Sequence, residues 1–300
     1  MTLRIPAVAA LVWLQAPLQP APTFRAETRL VVLHATVTDG RGVNAPDLDA
    51  GAFRIYEDGA RQTITLFRRD DVPVSLGLLI DNSGSMRRIR ARVEEAALAF
   101  VRASNPLDEA FIVNFADKAR VDVPFTRDLD RLTQGIARVD SIGGTALRDA
   151  VDTAVSYVGQ HASHDRRVLL VITDGRDNAS TVTLKELERG TGQSDIAVYA
   201  VGLFAEPASA DAKDGRRGLD RLTQQSGGAA FYPSSVDEID AVVADLARQI
   251  RNQYTIAYAP TNQRLDGTYR RIRVETPGRP SLAVRTRAGY VAAAPTELRR

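Results

Sequence analysis

The sequence predicts an α/β fold: a doubly wound, mostly parallel sheet with one antiparallel edge strand, plus a small β-sandwich built from strands at both ends of the chain. Three observations lead there. Between Pro73 and about Ile250, apolar strand runs alternate with helical periods, whereas on either side the pattern is β alone, with hairpin signals. Only Ala116 to Arg120 separate two of the runs, too few residues for the crossover a parallel pair needs. Neither flanking segment is long enough to bury a core alone, so the two are expected to share one and to bring the chain ends together.

In order, the chain opens with Arg4 before an apolar run from Ile5 to Leu14. Leu14-Gln15-Ala16 then offers a small-residue cleavage point ahead of the Pro-rich stretch Pro17 to Pro22. Residues 1–22 read as a secretory signal followed by that stretch, so the mature protein is expected to be secreted or periplasmic. The apolar run is too short to cross a bilayer, and without cysteine there is no site for a lipid anchor of the bacterial lipoprotein kind. No integral membrane segment is expected in the mature chain.

Residues 26–70 carry the first β pattern: Arg29 to Val37, the turn Asp39-Gly40-Arg41-Gly42, then Phe53 to Tyr56 and Gln62 to Phe67, split by Glu57-Asp58-Gly59. Residues 73–250 form the α/β region, with strands at Val74 to Ile80, Ala110 to Phe115, Val121 to Phe125, Val168 to Thr173, Ile196 to Val201 and Ala229 to Tyr232. Ile89, Val93, Ala96, Ala97, Phe100 and Val101 recur at helical spacing after the first. Ser235 with Glu238 three residues on reads as a capping box before Ile239, Val242, Val243, Leu246 and Ile250. Pro124 lacks a ladder donor and puts its strand at the rim of the sheet. Residues 251–292 return to β, at Tyr254 to Tyr258, Tyr269 to Glu275 and Leu282 to Arg287.

Composition narrows the function. With 44% hydrophobic and 25% charged residues, the 300-residue chain suits one large or two modest folded domains. Its net charge is only +2, and Arg alternates with Asp and Glu instead of clustering, so nucleic acid is not an expected partner. Absence of cysteine excludes disulfides, zinc thiolates and thiol catalysis.

Three loop pieces hold the candidate chemistry. Asp81-Asn82-Ser83-Gly84-Ser85 leaves the first apolar strand with one carboxylate and two hydroxyls, hard oxygen donors that suit Mg²⁺ or Mn²⁺. Gly143-Gly144-Thr145 precedes a helix, with Thr145 where an N-cap hydroxyl would sit. Thr173-Asp174-Gly175 ends the Val168 strand. In a doubly wound sheet the first and fourth strands are neighbours at the switch point, so Asp81 and Asp174 should face one crevice.

The set Asp81, Ser83, Ser85, Thr145 and Asp174 resembles the metal-ion-dependent adhesion site of von Willebrand factor type A domains, over roughly Pro73 to Ile250 and with all five positions filled. The wider chain is similar to bacterial secreted VWFA-related proteins. These pair a leading Asp-Phe-x-Val-x-Glu-Asp-Gly with a trailing Gln-Tyr-x-Leu-x-Tyr-x-Pro, here Ala52 to Gly59 and Gln253 to Pro260, with Ala52 in place of the usual Asp. The resemblance implies that Ser83, Ser85 and Thr145 touch the cation or exchange with water, while Asp81 and Asp174 act largely through waters and hydrogen bonds. Neutral hydroxyls leave the ion's charge only partly compensated, which attracts an Asp or Glu carboxylate from a protein partner. An adjoining helix N-terminus, together with Arg87 and Arg88, would favour such an anion.

Other features read as structure. His161 and His164 lack the Glu of a zinc-protease helix and sit at a polar helix end. His34 lies in a strand, and Glu94-Glu95 on an outward helix face. Neither a Gly-x-Ser-x-Gly elbow nor a Gly-x-Gly-x-x-Gly turn is present. The expectation is therefore a non-enzymatic, Mg²⁺- or Mn²⁺-dependent adhesion module. The alternatives are an envelope scaffold whose metal only rigidifies loops and a metal-dependent hydrolase.

Overall fold

The computed structural model describes residues 29–45, 47–138, 143–204, 206–235 and 237–293; the leader expected at residues 1–22 lies outside them. Four strands come first: β1 (Val31–Thr38), β2 (Arg54–Glu57), β3 (Ala60–Gln62) and β4 (Ile64–Arg68). Asp58 and Gly59 both adopt positive φ, +47° and +84°, which closes β2 and β3 into a tight hairpin. The single run read at Gln62 to Phe67 is in fact two strands, because β3 ends at Gln62 and β4 begins in a different sheet at Ile64.

The α/β layer follows: β5 (Val74–Asp81), a 3-10 turn (Gly84–Ile89), α1 (Arg90–Ala103), β6 (Glu109–Phe115), β7 (Ala119–Thr126), α2 (Leu129–Ile136), α3 (Leu147–His161), β8 (Arg166–Thr173), α4 (Leu184–Gln193), β9 (Ile196–Gly202), α5 (Ala210–Ser226), β10 (Ala230–Phe231) and α6 (Asp237–Arg251). Strand order is β10-β9-β8-β5-β6-β7, parallel throughout except for β6 with β7. The first and fourth strands, β5 and β8, pair directly. Pro124 lies in β7 at the rim, where no further strand requires its missing N–H.

All eight residues of β5 are buried, as a central strand covered on both faces demands. Side chains alternate: Leu78 and Ile80 meet Val93, Phe100, Val243 and Leu246 of α1 and α6 on one face. Leu79 meets Val151, Val158 and Leu222 of α3 and α5 on the other. At the start of α6 the Glu238 carboxylate accepts the Ser234 backbone N–H at 2.6 Å, one residue earlier than the capping-box reading placed it.

Four more strands, β11 (Tyr254–Tyr258), β12 (Tyr269–Glu275), β13 (Ala283–Arg285) and β14 (Gly289–Val291), complete two four-stranded sheets, β13-β1-β11-β4 and β14-β12-β2-β3. Every β1 and β11 contact is antiparallel, and each sheet mixes N- and C-terminal strands. Leu33, Phe53, Ile55, Tyr254, Ile256 and Tyr258 fill the space between them. Both motif stretches meet in this core: the buried Glu57 carboxylate accepts the hydroxyls of Tyr258 (2.7 Å) and Tyr290 (3.0 Å). Burial and the adjacent carboxylate push both phenols upward, Tyr290 to about 12. The described ends of the chain also meet, with Arg29 Nη1 donating to Ala293 O at 2.8 Å.

Gln253 stitches sandwich to sheet. Its buried amide donates to Thr36 Oγ1 of β1 (3.1 Å) and to Tyr199 OH of β9 (2.9 Å). Along the same seam lies His34, half-buried, with Nδ1 3.3 Å from Thr255 Oγ1. Burial first, then the charges of Arg166 and Arg287, lower its pKa from 6.5 to about 3. The folded protein therefore keeps this imidazole neutral while the unfolded chain protonates near 6.5, so the associated stability is complete above that pH and declines as pH falls toward 3. We expect a loss of about 2 kcal/mol at pH 5 relative to pH 8. Urea unfolding at the two pH values checks this, and the pH-dependent part should shrink in His34→Gln.

Candidate metal centre

β5 ends by releasing its last side chain, Asp81, into a fully buried position, because the next residues turn away into the 3-10 segment. Both carboxylate oxygens are held: Oδ1 accepts the Ser83 N–H (2.8 Å) and Oδ2 accepts the Thr173 hydroxyl (2.6 Å). The second bond crosses directly from β5 to β8 and fixes the two loops to each other. Burial is the main reason that the Asp81 pKa is raised to about 6, with the negative charge of Asp174 a lesser cause.

Ser83 occupies the N-cap position of the 3-10 turn without using its side chain as a cap. Its hydroxyl instead lies 3.1 Å from that of Ser85. Two oxygens sharing an edge of a Mg²⁺ octahedron, at 2.0–2.1 Å from the ion, stand about 3 Å apart. The donor set fits a hard cation on this spacing and on its chemistry, oxygen throughout. Among the described residues no group of three or more His, Asp or Glu gathers to hold a metal; this constellation has two carboxylates and three hydroxyls.

The Gly143-Gly144-Thr145 loop joins through backbone contacts. Gly84 N–H donates to Gly143 O (3.4 Å), and the Gly144 N–H donates to the Asp117 carboxylate. Thr145 is buried, and Asn178 fixes it from both sides: Asn178 Oδ1 accepts the Thr145 N–H (2.7 Å), and Thr145 O accepts the Asn178 N–H (3.0 Å). Thr145 is not the helix cap, because Ala146 holds the N-cap position of α3. The first turn of α3 is satisfied from the β8–α4 loop, where Asp177 Oδ2 and Ser180 Oγ accept the Arg148 N–H at 2.8 and 3.0 Å. The positive end of α3 thus already faces an anion of this chain, which takes up the field expected for a partner.

Asp174, at the carboxyl end of β8, accepts its own turn's Arg176 N–H (3.1 Å) and has the Arg176 guanidinium at 3.7 Å. Arg176 also pairs with Asp211 at 3.2 Å and is half exposed, so solvent screens its pull on Asp174. Arg88 is exposed on the 3-10 turn and, with Ser85, Asp174 and Phe204, lines a hollow of about 200 Å³ beside these oxygens. Asn178, Asp117 and Arg176 carry no signal in the sequence, and Thr173 enters there only as part of the third loop piece. Thr173 adjoins Asp174, but nothing local says that its hydroxyl reaches another strand.

Gly175 makes the close approach possible. It has φ +74°, and a Cβ there would lie 2.9 Å from Gly215 Cα in α5. We expect Gly175→Ala to cost about 2–3 kcal/mol by combining left-handed strain with backbone overlap, read as a lowered denaturation midpoint.

Residues 76–176 match the family described as the von Willebrand factor type A domain. The chain carries a von Willebrand factor type A domain. Solved structures with the same fold include a von Willebrand factor type A protein from Catenulispora acidiphila, 13% identical, covering 89% of this chain and 75% of that one with a TM-score of 0.50. A proximal thread matrix protein 1 from mussel byssus, with a zinc-occupied MIDAS motif, is 16% identical over 65% of this chain and 50% of its own, TM-score 0.50. The pilus adhesin SpaC from Lactobacillus rhamnosus GG is 13% identical over 68% of this chain and 35% of its own, also at 0.50. At these identities the likeness is one of fold. No curated protein sequence matches the chain. Among the described residues no helix is long and apolar enough to cross a membrane.

The imidazoles stand apart from these loops. His161 stacks on Tyr157 and shares a hydrogen bond with Tyr157 O (3.0 Å), while His164 Nε2 lies 3.2 Å from Leu107 O.

Proposed function

We propose that this chain is a metal-dependent protein-interaction module in which Asp81, Ser83, Ser85, Thr145 and Asp174 hold Mg²⁺ or Mn²⁺ and a partner protein presents an Asp or Glu carboxylate. One observation carries the reading: two hydroxyl oxygens stand 3.1 Å apart in front of a carboxylate locked in place by Ser83 and Thr173. When bound, the cation supplies a vacant, positively charged coordination position. The chain's own part is to fix the oxygens in advance, so that little ordering accompanies ligand capture. Arg87 and Arg88, exposed on the adjoining turn, draw in acidic surfaces. The zinc-occupied site reported for the mussel protein supports metal binding in this fold.

The reading is non-catalytic, with residues 73–250 as the metal-holding unit, 26–70 and 251–292 as its flanking β unit, and 1–22 as an export signal. A second reading has support of its own. Both Asp81 oxygens are satisfied within the protein, as they would be if the cation only stapled loops in a scaffold. Isothermal titration with Mn²⁺, followed by capture from cell envelope and medium with and without a chelator, separates the two. Chelator-sensitive capture that Thr145→Ala abolishes supports adhesion. Metal uptake that raises stability without any chelator-sensitive partner supports the scaffold, and no uptake removes both.

A further inference from the structure

A second site lies at the opposite end of β8. Where the sandwich meets the base of the six-stranded sheet there is a cavity of about 660 Å³, within the range of small-molecule pockets and at a junction between units, where such pockets concentrate. Arg166, first residue of β8, lines it and is 2% exposed. Its Nη1 donates to Ile250 O at the end of α6 (3.2 Å) and its Nη2 to Thr255 Oγ1 (3.2 Å), while Nε has no hydrogen-bond partner among the described residues. Its direct partners among those residues are a carbonyl and a hydroxyl, and Asp70, Asp71 and Asp108 act on it only from beyond ion-pair distance, so its charge is only partly compensated. A buried guanidinium left in this state is costly and selects for an incoming anion.

The rest of the wall fits that demand. Arg287 also lines the cavity, with its Nε likewise buried and unpartnered while its other nitrogens bond Asp195 and Val32 O. Arg68 and Arg167 add charge; against them stand Asp70, Asp165 and Asp195, so the guanidinium groups exceed the carboxylates by one. Val32, Leu66, Val72 and Pro73 supply an apolar side.

We propose that this cavity binds a small amphipathic carboxylate, its planar headgroup between Arg166 and Arg287 and its hydrocarbon body against Val32, Leu66 and Val72. The guanidinium fork matches a carboxylate edge, and a single negative charge matches the excess of one. The site is separate from the metal loops, which lie at the other end of the same strand, roughly 23 Å away at the usual rise per residue.

The test titrates the full-length protein with benzoate and octanoate, with neutral benzamide, and with inorganic phosphate, following the His34 ring signals by NMR. His34 lines the cavity and bonds Thr255, so it reports occupancy directly. Saturable shifts with benzoate or octanoate, weakened about tenfold or more in Arg166→Met and retained in Asp81→Asn, are expected. If Arg166→Met does not fold, Arg287→Gln decides: unchanged benzoate affinity there overturns the assignment. So does equal binding of benzamide, binding of phosphate alone, or no saturable shift with any carboxylate.

Discussion

Asp81→Asn is expected to abolish Mg²⁺ and Mn²⁺ uptake while making the metal-free protein more stable by up to about 3 kcal/mol above pH 6. The two effects share one cause. Burial raises the Asp81 pKa to about 6 from an ordinary 3.8, so the folded state prefers the protonated carboxyl. That preference contributes fully below pH 3.8 and is lost as pH rises through about 6, since the native protein must then keep a charge in a site that disfavours it. Asparagine removes the charge but keeps the shape. Its oxygen still accepts the Ser83 N–H, and its amide faces Thr173 Oγ1, whose hydroxyl can accept as well as donate. A divalent ion offsets the same buried charge in wild type, so at a hundredfold excess over Kd it should restore about 2.7 kcal/mol. Thermal unfolding of both proteins with and without Mg²⁺, at pH 5 and pH 8, reads the variant's gain, its pH dependence and the stabilisation by metal. A wild type insensitive to metal at pH 8 would sink the metal assignment, and a variant no more stable than wild type would sink the account of Asp81.

Glu57→Ala is expected to destabilise the sandwich by about 3–5 kcal/mol, enough to open it at room temperature. The carboxylate lies between the two sheets and accepts two phenolic hydroxyls on the same oxygen, at 2.7 Å from Tyr258 and 3.0 Å from Tyr290. Truncation leaves both hydroxyls buried without an acceptor and creates a cavity where β2 faces β11 across the sandwich. Tyr258→Phe should cost less, about 1–2 kcal/mol, because Tyr290 still donates to Glu57. Guanidinium unfolding followed at the tyrosines, with limited proteolysis between α6 and β11, distinguishes local opening from global loss. Equal stability of Glu57→Ala and wild type would mean that the carboxylate is not the organising acceptor of this core.

Element type along the α/β layer was legible because periodicity is local. The unbroken apolar run Val74 to Ile80 required burial on both faces, and β5 sits at the centre of the sheet. Val93, Ala96, Ala97 and Phe100 required one helix face turned inward, and all four are buried. Pro124 and the short connection after Phe115 fixed an antiparallel edge strand. The β flanks were less legible. Gln62 to Phe67 reads as one run, yet its halves belong to different sheets, and Gly289–Val291 carries too few residues to show an alternation at all.

By itself, then, the sequence determined the layers, the edge strand and the three loops that hold the candidate metal oxygens, since each follows from chemistry confined to one segment. Only the tertiary structure decided what those segments meet: Thr173 bonding Asp81, Asn178 holding Thr145, Asp177 taking the end of α3, and Glu57 gathering two tyrosines from more than 200 positions away. The same is true of Arg166, an unremarkable charge in sequence that strand pairing and the sandwich bury together. A hydrogen bond across strands depends on which strands become neighbours, and topology, not local spacing, sets that.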